Sequence, residues 1–476
     1  MAHTPPNIVL IMCDQMRWDA AGFAGSSIVQ TPHLDQLAEG GVCFENAYCA
    51  SPVCSPARAS WLTGLYPHAH LQLRNYSPRR SREFGGYLPQ HHITIGDVLK
   101  RVGYRCGMLG PWHLGEDHRP QHGFTDFWRT YRYLGPSYTD PLFDYFEQEG
   151  VSNLYRSKAE GMTLYGNTLE FGAITDPRQQ RTTWTIDGAI EFIQQQHDAP
   201  FFLFASIKDP HPLMLVPPEF LDLYPENEIP LSPSLRDPLD GKPEFQKRGK
   251  FRILPTVTDE QFRQIMVHYY ALITHIDNQV GRLINMLKAQ NQHNNTIIAF
   301  ISDHGELLGD HGYVEKCLMY EASVRVPCLL SWPDHLPAEL RVKTPLAGVD
   351  LMPTLLDLAG QSLPEPIDGR SVATSILNTE EPATQPIFAE IASLDAIYHG
   401  AKEEDRLAAH VMNYDGRWKY IRNRFDIDEL YDLKTDPTEM NNLTHQPENQ
   451  NRIRLMRGQI ADMLCQTGPG PYEWCL

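Results

Sequence analysis

The sequence has no apolar stretch long enough to form a membrane-spanning helix. Its longest apolar runs, residues 7–12 and 201–205, have the length of a β-strand, whereas a helix that crosses a bilayer needs roughly 20 apolar residues. The first residues also lack a basic segment followed by a cleavable apolar one, which is the pattern of a secretory signal. We therefore expect a protein of the cytoplasm that has no membrane as a partner.

The sequence also lacks a regular spacing of cysteines and an excess of positive charge. The nine cysteines are odd in number, scattered and without CxxC spacing, so they indicate neither a disulfide scaffold nor a zinc ribbon. The formal net charge is −18, so long-range repulsion argues against nucleic acid as a partner. A small anionic substrate remains compatible with this charge, because a local cluster of cations and a metal can reverse the field inside a pocket.

The chain does contain a regular alternation of short buried-type strands and helix patterns. With 476 residues, 42% of them hydrophobic, it can form one large domain and a smaller one. The clearest helix spans residues 259–288, where apolar residues recur at spacings of three and four. Strands are predicted at residues 8–13, 104–109, 201–207, 296–302 and 326–331. This alternation predicts an α/β fold, with a large and mostly parallel sheet sandwiched by helices.

The pattern changes after residue 382. Residues 386–391 and 411–421 have the character of antiparallel strands, and Asp415-Gly416 inside the second segment is a signal for a tight hairpin. We therefore expect a catalytic domain over residues 1–380 and a smaller α+β subdomain with an antiparallel sheet over residues 381–476.

Two of the predicted strands end in residues that can bind a metal. Asp14-Gln15 follows the first strand, and Asp303-His304 follows the strand at residues 296–302. In open α/β sheets, catalytic groups gather at the C-terminal ends of strands. Two carboxylates, an amide oxygen and an imidazole suit calcium, magnesium or manganese better than a soft metal. Each pair alone has a plainer explanation, because Asp-Gln can cap a following helix and Asp-His-Gly can form a turn.

A third segment gives these two pairs their context. It reads Cys54-Ser55-Pro56-Ala57-Arg58, and it continues through Ser60-Trp61-Leu62-Thr63-Gly64. This segment resembles the sulfatase signature CxPxR with its following SxLTG. Further matches occur in family order along nearly the whole chain, at Thr31-Pro32-His33-Leu34-Asp35, Gly103-Tyr104-Arg105, Trp112-His113-Leu114-Gly115, Lys208-Asp209-Pro210-His211, Ser302-Asp303-His304-Gly305 and Glu429-Leu430-Tyr431-Asp432-Leu433. On these residues the chain resembles the formylglycine-dependent type I sulfatases of the alkaline phosphatase superfamily.

The resemblance implies an alkaline phosphatase-like fold and a hydrolase that splits a small anionic sulfate ester into an alcohol and inorganic sulfate. In sulfatases a maturation enzyme converts the signature cysteine to formylglycine, an aldehyde that hydrates to a geminal diol at the metal. By this match Cys54 is the precursor of the nucleophile. The implied metal ligands are Asp14, Gln15, the modified Cys54, Asp303 and His304. The implied ion is calcium, which most sulfatases use, with manganese or magnesium as alternatives.

The resemblance also assigns the residues around the nucleophile. Arg58 would steady the modified side chain and the ion cluster. His113 would be the base that drives release of the sulfated intermediate, while His211 and Lys316 would hold the sulfate and the leaving oxygen. These residue types fit the chemistry, because an ester sulfate resists attack until metal, Lys, Arg and His neutralise its charge. A covalent intermediate then divides one difficult step into two.

Two residues depart from the usual sulfatase pattern. The second signature is usually G-K-W-H and here reads Gly110-Pro111-Trp112-His113, so a lysine that contacts the sulfate is replaced by a residue without charge or donor. With Gln15 at the second metal position, the implied set of metal ligands resembles the set in choline sulfatases and phosphonate monoester hydrolases. Besides a sulfatase, a phosphonate monoester or phosphodiester hydrolase and a non-catalytic metal- or anion-binding relative therefore stay open. A redox or structural role of Cys54 is a more distant alternative.

Overall fold

The computed structural model describes residues 5–476 apart from residues 77–84, 117–118, 129–140, 151–162, 166–168, 175, 196–197, 248, 250–251, 253–256 and 393–408. In chain order, the strands of the described residues are β1 (Asn7–Asp14), β2 (Val42–Phe44), β3 (Ala47–Tyr48), β4 (Arg105–Leu109), β5 (Asp126–Trp128), β6 (Thr163–Tyr165), β7 (Leu169–Ala173), β8 (Phe201–Pro210), β9 (Met214–Val216), β10 (Thr296–Ser302), β11 (Arg325–Val326), β12 (Cys328–Ser331), β13 (Leu340–Val342), β14 (Leu346–Ala347), β15 (Ile387–Ile391), β16 (His410–Tyr414), β17 (Trp418–Asn423) and β18 (Glu429–Asp432).

The helices are α1 (Pro32–Glu39), α2 (Cys54–Thr63), α3 (Pro67–His70), α4 (Ile95–Arg101), α5 (Pro141–Gln148), α6 (Arg181–Gln194), α7 (Pro218–Leu221), α8 (Glu244–Lys247), α9 (Asp259–Ala289), α10 (Glu321–Val324), α11 (Leu351–Leu358), α12 (Ala373–Leu377) and α13 (Gln450–Thr467).

An eight-stranded sheet forms the centre of the protein, in the order β13-β2-β12-β10-β1-β8-β4-β5. β1 lies between β8 and β10 and is parallel to both. β12 runs antiparallel to its two neighbours, β10 and β2. Every residue of β1, β8 and β10 is buried, as expected for parallel strands with helices on both faces. The prediction of a large, mostly parallel sheet is confirmed.

The alternation of side chains along β1 separates two hydrophobic cores. Leu10 and Met12 face the core that contains Trp61 of α2, whereas Ile11 and Cys13 face the core that contains the buried residues of α1, α6 and α9. Successive side chains of a strand point to opposite faces of its sheet. The sheet is therefore covered on both faces, and α2 lies on the first of them.

The longest helix, α9, agrees with the predicted helix at residues 259–288 to within one residue. A capping box begins it, in which Thr258 Oγ1 accepts from the backbone N–H of Gln261 at 3.2 Å. The Gln261 side chain in return accepts from the backbone N–H of Thr258 at 2.9 Å. Donors that a helix terminus otherwise leaves unsatisfied are thereby paired. Leu272 and Ile276 belong to the buried face of the helix.

The structure divides one predicted strand in two. The prediction places a single strand over residues 326–331, but β11 pairs with β3 in a small three-stranded sheet while β12 pairs with β10 and β2 in the central sheet. Pro327 lies between them and has no N–H to donate to either ladder. The chain therefore changes sheets at this proline.

A second sheet, in the order β15-β16-β17-β18, lies in the C-terminal part of the chain, and its strands are antiparallel. β16 and β17 form the predicted hairpin, and Gly416 in its turn has a φ of +100°, which favours glycine. Tyr414 at the end of β16 lies against Tyr48 of β3, with the ring centroids 4.9 Å apart. The antiparallel C-terminal sheet is confirmed, and the domain boundary at residue 380 stays a prediction.

All nine cysteines are free thiols, and eight of them are buried. A buried thiol behaves as a small apolar side chain, so most of these cysteines serve to fill the core. Among the described residues, no helix has both the length and the apolar character that crossing a bilayer requires.

Candidate active site

Residues that the sequence analysis singled out meet at one end of the central sheet. β1 and β10 are adjacent, parallel and in register, so Asp14 at the end of β1 and Asp303 just after β10 lie side by side. The N-terminus of α2 brings Cys54 to the same place. One potential ligand atom from each of Asp14, Cys54, Asp303 and His304 lies within 4.8 Å of the others, and all four residues are buried.

Arg58 ties the two carboxylates together. It lies one helical turn after the start of α2, so it projects from the same face as the first residue of that helix. Its guanidinium donates from Nε to Asp303 Oδ2 at 2.9 Å and from Nη2 to Asp14 Oδ2 at 3.1 Å. Nη1 donates to the carbonyl of Pro111 at 3.0 Å and to Ser206 Oγ at 2.7 Å. The planar fork of the guanidinium thus links α2 to β1, to β8 and to the segments that follow β4 and β10.

The two carboxylates differ in how their surroundings treat a negative charge. Burial opposes the ionisation of Asp14, but electrostatic interactions with His211 and Arg58 hold the pKa of its carboxyl well below the usual range. Burial and the negative charge of Asp14 together raise the pKa of Asp303. Like charges in so small a space repel one another, and a cation placed between them relieves this repulsion.

The ring of His304 presents a lone pair to the carboxylates. Its Nδ1 lies 2.9 Å from the carbonyl oxygen of Gly305, and because a carbonyl only accepts, Nδ1 carries the proton of the neutral ring. Nε2 then faces Asp14 Oδ1 at 3.7 Å and Asp303 Oδ1 at 3.6 Å, as an acceptor among acceptors. Carboxylate oxygens with an imidazole held in this way form a donor set that fits a divalent cation.

Gln15 and Lys316 lie beside this cluster. Gln15 has a φ of +74°, in the left-handed region that few residues other than glycine adopt. Its side-chain oxygen accepts a hydrogen bond from Lys316 Nζ, and its side-chain nitrogen donates to Glu306. Burial disfavours the charge of Lys316, but electrostatic interactions with Cys54, Glu315 and Asp14 raise the pKa of its ammonium well above the usual value. The structure therefore places a charged Lys316 next to the predicted metal ligands.

Cys54 is the first residue of α2 and is completely buried. Its Sγ lies 3.1 Å from His304 Nε2 and 3.7 Å from Asp14 Oδ1. Burial and the charge of Asp14 raise the pKa of the Cys54 thiol to about 12. At neutral pH the side chain is therefore a thiol and not the thiolate that acts as a nucleophile. Unmodified Cys54 is poorly suited to nucleophilic attack.

Asn75, which the sequence analysis did not single out, holds the start of α2. Its Oδ1 accepts from the backbone N–H of Ser55 at 3.0 Å, a donor that Val53 at the N-cap position has no side-chain oxygen to satisfy. Asn75 Nδ2 lies 4.0 Å from Cys54 Sγ. Ser55 Oγ in turn donates to the carbonyl of His113 at 2.5 Å. These contacts link the position of Cys54 to the loop that carries His113.

The two predicted histidines interact electrostatically with the cluster. His113 is fully buried, and this burial together with the charge of Arg58 lowers the pKa of its imidazole well below the usual value. Burial and Lys316 lower the pKa of His211 in the same direction. His211 Nδ1 lies 2.6 Å from the carbonyl oxygen of Pro212, so Nδ1 donates and Nε2 is the acceptor. Both rings are neutral at neutral pH, the form in which imidazole accepts a proton.

β8 contributes two further polar residues that the sequence analysis left without a role. Ser206 Oγ donates to the carbonyl of Pro111 at 2.8 Å. Lys208 is 7% exposed, and burial together with the charge of Arg181 lowers the pKa of its ammonium to about 7, while Asp14 opposes the shift. The motif that contains Lys208 is visible in the sequence, but nothing in the motif separates a buried lysine from a solvated one.

Family profiles match nearly all of the chain. The profile described as Sulfatase matches residues 6–361. The profile described as N-sulphoglucosamine sulphohydrolase, C-terminal, matches residues 309–466. Together they include every residue of the cluster described above and the antiparallel C-terminal sheet.

Curated relatives match over most of their own length as well. The chain is 29% identical over 476 residues to an arylsulfatase of Clostridium perfringens, an alignment that covers 95% of this chain and 93% of that protein. It is 30% identical over 466 residues to a choline-sulfatase of Rhizobium meliloti, with 94% and 84% covered. The solved phosphonate monoester hydrolase of Agrobacterium radiobacter has a TM-score of 0.78 at 23% identity, covering 97% of this chain and 96% of that one. This last likeness concerns the fold alone.

Proposed function

This chain belongs to the sulfatase family of the alkaline phosphatase superfamily and is a sulfuric ester hydrolase, and we propose that it acts through a formylglycine derived from Cys54 beside a divalent metal. The observation that carries the proposal is the position of Cys54. Its Sγ lies 3.1 Å from His304 Nε2 and 3.7 Å from Asp14 Oδ1, at the point where two carboxylates and an imidazole converge. The substrate class is a small anionic sulfate ester.

The metal would be held by Asp14, Asp303 and His304, with Gln15 and the modified Cys54 completing the set. Support comes from the donor atoms themselves, which are three mutual acceptors in one buried space. The bound ion would supply positive charge next to the sulfate and the nucleophile. Calcium is the first choice, because oxygen donors dominate the set, and manganese or magnesium are the alternatives.

The modification would change what Cys54 offers to the substrate. Formylglycine, hydrated to a geminal diol, would supply an oxygen that attacks sulfur and a second hydroxyl whose collapse later expels sulfate and restores the aldehyde. His113 is neutral and buried near Arg58, and it would accept the proton of that second hydroxyl. Ser55 would hold the His113 loop in position through its hydrogen bond to the His113 carbonyl.

Lys316 and His211 would bind the sulfate and the leaving oxygen. Lys316 keeps its charge because acidic neighbours raise the pKa of its ammonium. The pKa of His211 is low in the protein alone, but the approach of an anionic ester favours the protonated imidazole. His211 would then donate a proton to the leaving alcohol oxygen.

A phosphonate monoester or phosphodiester hydrolase is the second candidate function. Gln15 favours it, because this metal position resembles that of phosphonate monoester hydrolases, and the fold of one such enzyme is shared. A panel of an aryl sulfate, a phenyl phosphonate ester and a phosphodiester separates the two. Turnover of the phosphorus esters that equals or exceeds that of the sulfate would contradict the sulfate-ester assignment.

The nucleophile is tested by mass spectrometry of the peptide that contains Cys54, after production with and without a formylglycine-generating enzyme as partner. We expect replacement of sulfur by an aldehyde oxygen and activity that rises with the converted fraction. Cys54→Ala should abolish turnover, whereas Cys465→Ala, at the exposed cysteine, should leave it unchanged. A Cys54 that stays a thiol in co-produced, active protein would contradict the proposal. Full conversion without any turnover would favour the impaired relative.

We keep the cytoplasm as the proposed compartment. Nine free thiols are compatible with it, since reduced cysteines persist there. Fractionation of the native host, followed by detection of the chain in the soluble cytoplasmic fraction, tests this location.

A further inference from the structure

Pro111 stands where the sulfatase pattern has a lysine in the second signature. In the structure its carbonyl accepts hydrogen bonds from Arg58 Nη1 at 3.0 Å and from Ser206 Oγ at 2.8 Å. The position therefore helps to hold Arg58 but supplies no positive charge. Fixed cations that face a reacting anionic group are among the strongest contributors to transition-state stabilisation. A substitute for the lost lysine is therefore worth seeking among the buried cations nearby.

Lys208 lies on the strand adjacent to Pro111. β4 and β8 are parallel neighbours in which Leu109 pairs with Ala205. The contact between Ser206 Oγ and the Pro111 carbonyl continues this neighbourhood past the end of β4. Lys208 follows two residues later on β8. Lys208 thus lies on the strand next to the segment that carries the lysine in the usual sulfatase signature.

The alternation along β8 directs Lys208 to the face of the sheet on which α2 lies. Phe202 and Phe204 belong to the core that contains the buried residues of α2. Leu203 and Ile207 belong to the opposite core, with α6 and α9. Since successive side chains point to opposite faces, Lys208 continues the first series. Cys54 stands at the start of α2 on that same face.

A register shift places Lys208 next to the end of β1. The register between β1 and β8 shifts at the last residue of β1, where Asp14 pairs with Pro210. Lys208 and Asp209 lie at this shift, and two successive strand residues point to opposite faces of the sheet. Asp209 accepts from Arg181 Nε of α6 at 2.6 Å, on the opposite face. The two residues therefore serve different faces of the sheet.

Lys208 and the titratable groups of the site shift one another's pKa values. Lys208 is 7% exposed. Burial lowers the pKa of its ammonium to about 7, and the negative charge of Asp14 opposes this shift. The charge of Lys208 in turn contributes to the lowered pKa values of His113 and His211. The ammonium thus interacts electrostatically with the same charged cluster, and a bound anion would favour its charged form.

We propose that Lys208 takes the place of the lysine missing at position 111 and binds the sulfate group of the substrate beside the nucleophile derived from Cys54. The inference rests on the proposed sulfatase function and names a residue of its sulfate site. Its competitor is a purely structural role, in which Lys208 only neutralises Asp14 within the folded chain. The two roles differ in whether the ammonium is needed to bind an anion.

The test moves the lysine from position 208 to position 111. We compare Lys208→Gln, Lys208→Arg and the double variant Lys208→Gln with Pro111→Lys, using Lys434→Gln at an exposed lysine as the matched control. In K208Q we expect kcat/KM for 4-nitrophenyl sulfate to fall by about 10²-fold to 10³-fold. The inhibition constant of inorganic sulfate should rise by at least about tenfold. K208R and the double variant should recover most of both losses, and K434Q should match the wild type.

Conversion of Cys54 and thermal melting are measured in every variant, so that a maturation or folding defect is recognised. Sulfate binding and turnover in K208Q that equal those of the wild type would overturn the proposal. If K208Q does not fold, the double variant decides. Its folding with restored sulfate binding supports the proposal, and its failure to fold would assign Lys208 to neutralising Asp14.

Inorganic sulfate binding separates this inference from the proposed function. A mature wild type that binds sulfate but hydrolyses no sulfate ester contradicts the proposed function, and a weakened sulfate affinity of K208Q would still support Lys208 as an anion ligand. An active wild type whose K208Q variant is unaffected contradicts only the role of Lys208. A mature wild type that does not bind sulfate contradicts both.

Discussion

The candidate active site at one end of the central sheet and the junction between that sheet and the C-terminal sheet are both buried clusters of charge. At the junction, Lys419 Nζ lies 2.7 Å from Glu321 Oε1 and 2.8 Å from Glu439 Oε1. It also donates to the carbonyl of Met319 at 3.0 Å. Arg325 Nη1 lies 3.7 Å from Glu321 Oε2 and supplies a second positive charge, so two cations face two carboxylates and the chain itself balances the charge of the junction.

The charges of the candidate active site are arranged differently. Arg58 bridges Asp14 and Asp303, yet the carboxylate oxygens still share one small buried space with Nε2 of His304 and the sulfur of Cys54. Acceptors that face acceptors are unfavourable in a buried space unless a cation lies between them. The two clusters thus differ in one respect: the charges of the junction are paired within the chain, whereas the proposed metal site would be completed by an ion from outside. This distinction can be tested.

The largest effect is expected from Asp303→Asn. Loss of this proposed metal ligand should remove several kcal/mol of transition-state stabilisation, so that kcat/KM for an aryl sulfate falls by about 10³-fold or more. Because burial and Asp14 raise the pKa of Asp303, the folded chain disfavours its charge. In chelator, D303N should therefore melt at the wild-type temperature or above it. A marked loss of thermal stability would make the charge of Asp303 structural and break the distinction.

The reverse pattern is expected from Lys419→Met. This change leaves Glu321 and Glu439 buried without their cation, which should reduce the free energy of unfolding by about 3–5 kcal/mol. The kcat/KM of the folded fraction should change by less than about twofold, because Lys419 is not part of the proposed site. Urea unfolding and kinetics on the same preparation measure both. Wild-type stability, or lost turnover in folded protein, would contradict the structural assignment.

The smallest effect concerns the pH dependence of stability at the junction. Burial raises the pKa of Glu439 from 4.5 to about 7, against the opposing charge of Lys419. A raised folded-state pKa gives stability that is complete below the unfolded-state pKa and is lost as the pH rises through the folded-state value. Glu439→Gln removes this titration, so the free energy of unfolding should fall less steeply between pH 4.5 and 7. The difference is at most about 1.4 kcal/mol per pH unit.

Urea titrations of the wild type and E439Q at several pH values in that interval measure the slope. Gln at this position keeps the size of Glu439 and an oxygen acceptor for the backbone N–H of Glu321. Identical slopes for the two proteins would show that Glu439 does not titrate in this range. The contrast between the junction and the candidate active site would then rest on the stability of K419M alone.

Local patterns were sufficient to predict the elements that carry the candidate site. β1 and β10 are continuous apolar runs, as strands buried on both faces must be, and their ends put Asp14 and Asp303 at one edge of the sheet. The helix at residues 259–288 and the Asp415-Gly416 hairpin followed in the same way from periodicity and turn chemistry. The break at Pro327 shows the limit of such patterns, because a strand's choice of partner is not a local property.

Short-range regularities of the chain thus predicted β1, β4, β8, β10 and α9, since backbone hydrogen bonding and side-chain alternation act over a few residues. The segment that carries Cys54 was identified by its resemblance to the sulfatase signature. The partners of those residues were decided only by folding. Arg58 reaches Pro111 and Ser206, which lie 53 and 148 positions away along the chain. Lys208 likewise lies at a register shift between β1 and β8, two strands that are distant in sequence. Charge, burial and hydrogen bonding are properties of assembled neighbours, so they arise when separate elements pack together.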